Sequence, residues 1–461
     1  MTVYILGGGP SGLAVVDSLK DKGIDDFILI ENSDNLGGLA KTITWENVGS
    51  HDLGPHKIFS LDRKLVKRVE NLLPKNQWLI RDKKSTIYIN KNFLPYPPSP
   101  FSLLKVFGLS LFIKMNIGYL LALIKRIFIK KENYTFKSDL INRLGSTLYE
   151  LLFEPLAFKL WGDPEFLDSK LSKGRIQTPS VKEILLNLFF KQKKSDFEAK
   201  NFKYPVGGLN KIWDAIINKS SNLGKIYLNT KIIDLKMEDD KIKEIHTTKQ
   251  TFALQEKDFV ISTIPLGLTV SFLSKYLDDI QSKYNDSVFL NDLFLVFLNL
   301  KQKKLLKDSW VFVPDPKICF HRISEQNSFD PNMTNNGSIL CCEIMNTKLK
   351  NLEKYNDDEM INMVTEDLKK MGYNFDVKCS KIIKLKKTYP VYIKGYKNKL
   401  DYLLDKLDTI SNFKTIGRQG SFNYIGTLDA MDIGYGIAEW YFNKFDWKDE
   451  RRRTNHYPVL D

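Results

Sequence analysis

Cysteine and histidine are scarce in this 461-residue sequence, with four of the former and five of the latter. Cys319, Cys341, Cys342 and Cys379 form no C-x-x-C pair, and none stands at metal-ligand spacing with a histidine. A disulfide framework and a metal centre are therefore not expected, and the histidines support no Ser-His-Asp reading. Acidic residues are in deficit, 55 against 69 Lys and Arg, for a formal charge of +14. That excess implies an anionic partner. A nucleic-acid reader would add a recognisable basic module, and none is present, so a membrane surface or a small anionic substrate is left. A charge-free apolar run near the ~20 residues of a membrane span is also missing. The most apolar stretch, residues 99–131, is interrupted by Lys105, Lys114 and Lys125. It reads as a pair of buried or substrate-domain helices. The alternative is an amphipathic surface touching an anionic membrane through Lys125, Arg126, Lys130 and Lys131. The opening run MTVYILGGGPSGL has no cationic leader, so the expected location is cytoplasmic, with the inner face of a membrane as the alternative.

What is present begins at once. Residues 3–6 are a short apolar run, 10–22 have helical spacing and 27–31 are a second apolar run, which predicts strand, turn, helix, strand. Between them Gly7-Gly8-Gly9-Pro10-Ser11-Gly12 satisfies G-x-G-x-x-G. Gly7 permits the tight turn, Gly9 lets backbone approach a pyrophosphate, and Gly12 lets helix and strand close together. The helix N-terminus then aims its free N–H groups at the phosphates. Glu31 ends the second strand, where an acid accepts hydrogen bonds from an adenosine ribose and disfavours a 2′-phosphate. The plain alternative is a ligand-free glycine turn beside a solvated acid.

A second glycine turn follows, Gly37-Gly38-Leu39-Ala40, and then Asp52-Leu53-Gly54-Pro55-His56. Near the other end stands Gly417-Arg418-Gln419-Gly420-Ser421-Phe422-Asn423-Tyr424, with Asp429 beyond. Together these segments resemble the two FAD-binding segments of the amine oxidase and protoporphyrinogen oxidase superfamily. The resemblance implies FAD held by Gly7, Gly9, Pro10, Ser11, Gly12, Glu31, Gly38, Leu39, Gly417, Arg418 and Asp429, with Ile232 nearest the adenine.

Further runs are similar to the UDP-galactopyranose mutase branch of that superfamily. Gly54-Pro55-His56-Lys57-Ile58-Phe59-Ser60 resembles a turn that lies against the flavin. Lys159-Leu160-Trp161-Gly162 followed by Gly174-Arg175-Ile176, and Trp310-Val311-Phe312-Val313-Pro314 followed by Phe320-His321-Arg322, resemble two segments that each carry a diphosphate-binding arginine. Tyr389 and Tyr424 fall where family tyrosines bind the same diphosphate. The resemblance implies His56, Arg175 and Arg322 as catalytic residues and Phe59, Trp161, Trp310, Tyr389 and Tyr424 as substrate contacts. Arginine forks suit phosphate, and tyrosine adds neutral O–H donors. Taken singly, the arginines also fit structural ion pairs, the tryptophans core positions and the tyrosines a domain seam. The sequence departs from the branch at Pro55, Lys57, Pro155-Leu156-Ala157 and Thr427-Leu428, which leaves open a related nucleotide sugar or another anionic substrate.

The expected fold is α/β: a Rossmann-type FAD-binding domain with an inserted mixed β-sheet and helical substrate domain. The expected division is 1–75, 201–270 and 401–461 for FAD, 76–200 for a mainly helical substrate domain and 271–400 for a β-sheet one. The implied activity is that of a mutase-like flavoenzyme using reduced flavin on a nucleotide-diphosphate sugar in cell-surface polysaccharide biosynthesis, with no reductant identified. The alternative is an FAD-dependent oxidoreductase of protoporphyrinogen oxidase, amine oxidase or desaturase type.

Overall fold

The computed structural model describes residues 1–443 apart from 25, 61, 129–134, 177–200, 221–223 and 348–349. Its first sheet is parallel and five-stranded, in the order Phe413–Thr415, Phe259–Ser262, Val3–Leu6, Phe27–Ile30, Gly224–Tyr227. Such a sheet must be covered on both faces, and the alternation of side chains shows how. Val3 and Ile5 enter one hydrophobic cluster with Leu13 and Val16 of the helix Pro10–Asp21, Ile212 and Trp213 of Asn210–Ser220, and Ile433 and Ile437 of Thr427–Asn443. Tyr4 and Leu6 enter the opposite cluster, built with Leu235, Ile245, Val270, Leu400 and Leu403. The first and last helices of the described chain therefore cover one face of one sheet.

The second large sheet is mixed and seven-stranded, in the order Val377–Val391, Phe289–Leu300, Ser338–Asn346, Arg322–Glu325, Trp310–Phe312, Ser85–Ile89, Asn92–Pro95. Trp310–Phe312 runs parallel to Ser85–Ile89, whereas the other pairings are antiparallel. Phe289–Leu300 becomes fully buried from Leu293 onward, which explains its nearly unbroken apolar sequence.

The apolar run 225–235 is divided between two strands. Asn229 takes a left-handed turn (φ 49°), Thr230 N–H donates to the Glu31 carbonyl, and Ile232–Glu238 then joins a separate antiparallel sheet with Lys241–Thr247 and Thr251–Ala253. Gly417–Gly420 is a short helical turn, and the closing helix begins at Thr427. Tyr396–Asp408 is a further helix. Of the mainly helical domain expected over 76–200, residues 177–200 lie outside the described residues.

The largest correction concerns residues 99–131. They are a pair of helices but not a buried one. Two helices share Pro100–Phe128 and meet at Gly108, whose φ of 77° and ψ of 169° interrupt the helical run. By length and composition Pro100–Arg126 is apolar enough to cross a membrane, and only 17% of its most apolar window is buried. Lys130 and Lys131 lie outside the described residues.

Candidate functional site

Three loops meet at the carboxyl end of the parallel sheet. Gly7 turns with φ 101° and its N–H donates to Ile30 O at 2.9 Å. A Cβ on Gly12 would lie 2.1 Å from Gly7 O, so only glycine allows helix and turn to close here. Pro10 opens the helix, where its missing N–H costs nothing. The second glycine turn packs on the first: Gly37 N–H donates to Gly8 O at 2.8 Å, and a Cβ on Gly38 would be 3.1 Å from Gly9 Cα. Leu39 follows in the 3-10 turn Gly38–Ala40. The C-terminal segment closes the third side. Ser11 Oγ donates to Ala430 O at 2.7 Å, and a Cβ on Gly417 would be 2.7 Å from Ser11 Oγ.

Glu31 stands at the mouth of this cradle. Its carboxylate accepts from Gly8 N–H at 2.7 Å and from Ser33 N–H and Oγ at 2.8 and 2.9 Å. Backbone bonds from Thr230 to Glu31 and from Asn229 to Ser33 bring the start of the Ile232–Glu238 strand alongside. The sequence expectations for Gly7, Gly9, Pro10, Ser11, Gly12, Glu31, Gly38, Leu39, Ile232 and Gly417 thus fall along one surface. A Cβ on Gly9 would meet nothing nearer than Gly38 Cα at 3.9 Å, so the glycine is not required by packing. The open backbone there is what a pyrophosphate would need, and the cradle fits FAD.

Beyond the cradle lies a polar and aromatic group. Arg418 Nη1 donates to Ile425 O at 2.6 Å, and its guanidinium sits 4.9 Å from the Tyr424 ring centroid and 5.6 Å from that of Tyr389. Those tyrosine rings meet edge to face at 4.9 Å, and Trp161 meets Tyr424 at 6.4 Å. Tyr392 Oη donates to Phe422 O and accepts from Tyr424 N–H, which fixes the loop carrying Tyr424. Asp429 caps the next turn by accepting from Gly426 N–H, and burial, with Asp432 beside it, raises its carboxyl to about 6.

His56 joins this group electrostatically. Burial, then the charges of Arg322 and Arg418, lower its imidazole to about 4, so it is neutral at physiological pH. Arg322 is held in a bidentate fork by buried Glu343, Nε to Oε1 at 2.6 Å and Nη2 to Oε2 at 2.9 Å. Gly54, with φ 105°, passes this carboxylate closely; a Cβ there would come 3.8 Å from Glu343 Oε1.

Not every expected residue joins the group. Trp310 is a core residue, 3% exposed, packed among Phe202 and Phe329, and Phe59 packs partly buried on that same cluster. Arg175 ends the helix Ser169–Arg175, and its side chain lies outside the described residues. Lys159 explains why the two sequence pairs belong together. Its Nζ donates to Val313 O and Phe320 O at 2.7 and 3.0 Å, tying the Trp161 helix to the Trp310–Arg322 hairpin. Burial, then nearby Lys350, lowers its ammonium to about 7.

Two residue sets escaped the sequence reading. Glu343 was visible only as a lone acid in the apolar strand SILCCEIMN. Buried His51 and Asp52 form a second cluster. Asp52 accepts from Thr42 Oγ1 and Tyr204 Oη, each at 2.6 Å, and burial raises it to about 6. His51 stacks 3.9 Å from Phe297, and burial, then Lys381, lowers it to about 4.

The family of flavin-containing amine oxidoreductases matches residues 10–387. A solved reduced UDP-galactopyranose mutase superposes with a TM-score of 0.84, covering 99% of this chain and 98% of that one at 18% identity. A candidate protoporphyrinogen oxidase from Exiguobacterium sp. 255-15 gives 0.75, covering 96% and 99% at 16% identity. A redesigned putrescine oxidase gives 0.66, covering 96% and 100% at 14% identity. At these identities the likeness is one of fold.

Proposed function

This chain belongs to the family of flavin-containing amine oxidoreductases and is an FAD-dependent enzyme; from that premise we propose that it is mutase-like and acts on a nucleoside-diphosphate sugar. The observation that carries the reading is the Arg418, Tyr389 and Tyr424 group beside His56 and Arg322. A diphosphate asks for permanent positive charge in fixed geometry and for neutral donors that close over it without repulsion. Reduced FAD supplies a nucleophilic flavin ring. The residues supply the rest. Arg418, expected from the sequence at FAD, is anchored by Ile425 O and flanked by both tyrosine rings, and in this reading it binds and orients the diphosphate instead. Arg322, oriented by Glu343, sets the field at the departing phosphate. Neutral His56 offers a ring nitrogen without adding a third positive charge. Trp161, packed on Tyr424, holds that tyrosine in place. Residues 1–75, 201–270 and 401–461 would form the FAD-binding unit and the rest the substrate-binding part.

A second reading is hydride abstraction from an apolar substrate, which the exposed apolar helix Pro100–Phe128 favours. One experiment separates them. FAD-loaded enzyme, reduced anaerobically with dithionite, is incubated with UDP-galactose and a panel of nucleotide sugars, and products are separated by chromatography. Interconversion that requires reduction is the expected result. If no nucleotide sugar binds or isomerises, while an apolar hydride donor bleaches the oxidised flavin and consumes oxygen, the mutase reading falls.

A further inference from the structure

The helix Pro100–Phe128 carries an apolar surface that the fold does not use. Leu109, Ile113, Ile117, Leu120, Leu121 and Ile124 are all more than 45% exposed, with Leu109 at 64% and Leu121 at 61%. At helical spacing these side chains share one face about 120° wide. Lys114 and Lys125, both exposed, lie along one edge of that face. The opposite side is welded to the enzyme body. Phe107 and Met115 are buried with Ile87, Ile89, Leu94 and Leu152, Ala122 is buried as well, and Gly118 meets Gly145 so closely that a Cβ on Gly145 would lie 2.6 Å from Gly118 C. A helix packed on protein along one side and apolar along the other cannot be encircled by lipid. It can lie in an interface.

Charge selects the occupant. Between Asp82 and Glu132 no acidic residue occurs, whereas Lys83, Lys84, Lys91, Lys105, Lys114, Lys125, Arg126, Lys130 and Lys131 do. Exposed Lys114 and Lys125 beside the apolar face oppose a second copy of the same face and suit an anionic surface. Tyr96, exposed just before the helix, is the kind of amphipathic ring that a headgroup layer accepts. We propose that this face docks the enzyme on an anionic phospholipid bilayer, with the helix lying in the plane of the headgroups. Tyr96 contacts Phe312 at 5.4 Å, and Phe312 pairs with Arg322 in the sheet. Docking therefore places the candidate site close to the membrane surface.

The test uses FAD-loaded protein and co-sedimentation with vesicles of phosphatidylcholine, alone or with about a third phosphatidylglycerol. The expected result is binding to the anionic vesicles that high salt weakens, and little binding to the neutral ones. An Ile117→Glu, Leu121→Glu double variant and a Lys114→Glu, Lys125→Glu double variant should each weaken binding on the order of tenfold or more. All four positions are solvent-exposed, and flavin absorbance and melting temperature confirm the fold of each variant. Wild-type protein that ignores vesicles, binds both kinds equally, or binds unchanged in both variants overturns the proposal. So does a wild-type dimer that Ile117→Glu, Leu121→Glu dissociates without any vesicle binding, since that result assigns the face to a second copy.

Discussion

Arg322 illustrates how one side chain serves structure and chemistry together. Its fork with buried Glu343 means that Arg322→Ala would strand a carboxylate in the core, at a cost of about 3–5 kcal/mol, and would confuse a folding defect with a catalytic one. Arg322→Lys keeps the charge and loses the fork. It should retain FAD and fold while raising KM and lowering kcat for the nucleotide sugar, measured by anaerobic kinetics; unchanged kinetics would remove Arg322 from the site. His51 has a different consequence. Its folded imidazole titrates near 4, below the usual 6.5 of a free histidine, because burial and Lys381 disfavour the cation. The stability it contributes is present above pH 6.5 and is lost as pH falls toward 4. Compared with a His51→Leu variant, wild-type protein should lose about 1 kcal/mol per pH unit across that window in denaturant titrations. Parallel curves would show that His51 is not held neutral.

Elements meet here through glycines. The closing helix Thr427–Asn443 lies so close to the first helix that a Cβ on Gly434 would fall 2.2 Å from Ser11 O and 2.8 Å from Ala14 Cβ. Gly434→Val should therefore push the helices apart, cost several kcal/mol of the order seen for overpacked cores, and weaken FAD retention because Ser11 and Ala430 separate. Calorimetry and flavin release measure both effects, and a variant as stable as wild type would contradict the packing. Helix and strand identity in this part of the chain was legible because short apolar runs, glycines and a Pro at the helix start all agreed. The break after Tyr227 was not, since apolar residues stand on both sides of it and the left-handed turn at Asn229 and the Thr230 bond to Glu31 separate the pieces. The exposure of Pro100–Phe128 was only one of two alternatives: apolar spacing reports a face and does not say what covers it.

Considered whole, the molecule ties its two ends into one cofactor cradle, so cofactor and fold should be thermodynamically linked. Saturating FAD at about a hundredfold over its Kd should add about 2.7 kcal/mol relative to stripped protein. Gly9→Ala should abolish most of this gain while leaving the stripped protein's melting temperature nearly unchanged, because its Cβ meets no atom within 3.8 Å. Equal FAD stabilisation of both proteins would show that the cofactor does not approach Gly9.

The chain order alone settled the class of fold and the dinucleotide cradle, because each rests on local rules: glycine conformations, strand and helix periods and an acid at a strand end; the flavin entered through the resemblance of the segments at both ends. Gly7, Gly9, Gly12 and Glu31 act within one βαβ unit, and short spacing is enough to place them. Tertiary packing decides which of the candidate aromatic and charged residues stand together. Trp161 and Trp310 look alike in sequence, yet one packs on Tyr424 and the other sinks among Phe202 and Phe329. Arg322 acquires its partner from a strand across the sheet. Contacts between residues far apart in sequence depend on register and on which faces bury each other, and no local pattern encodes either.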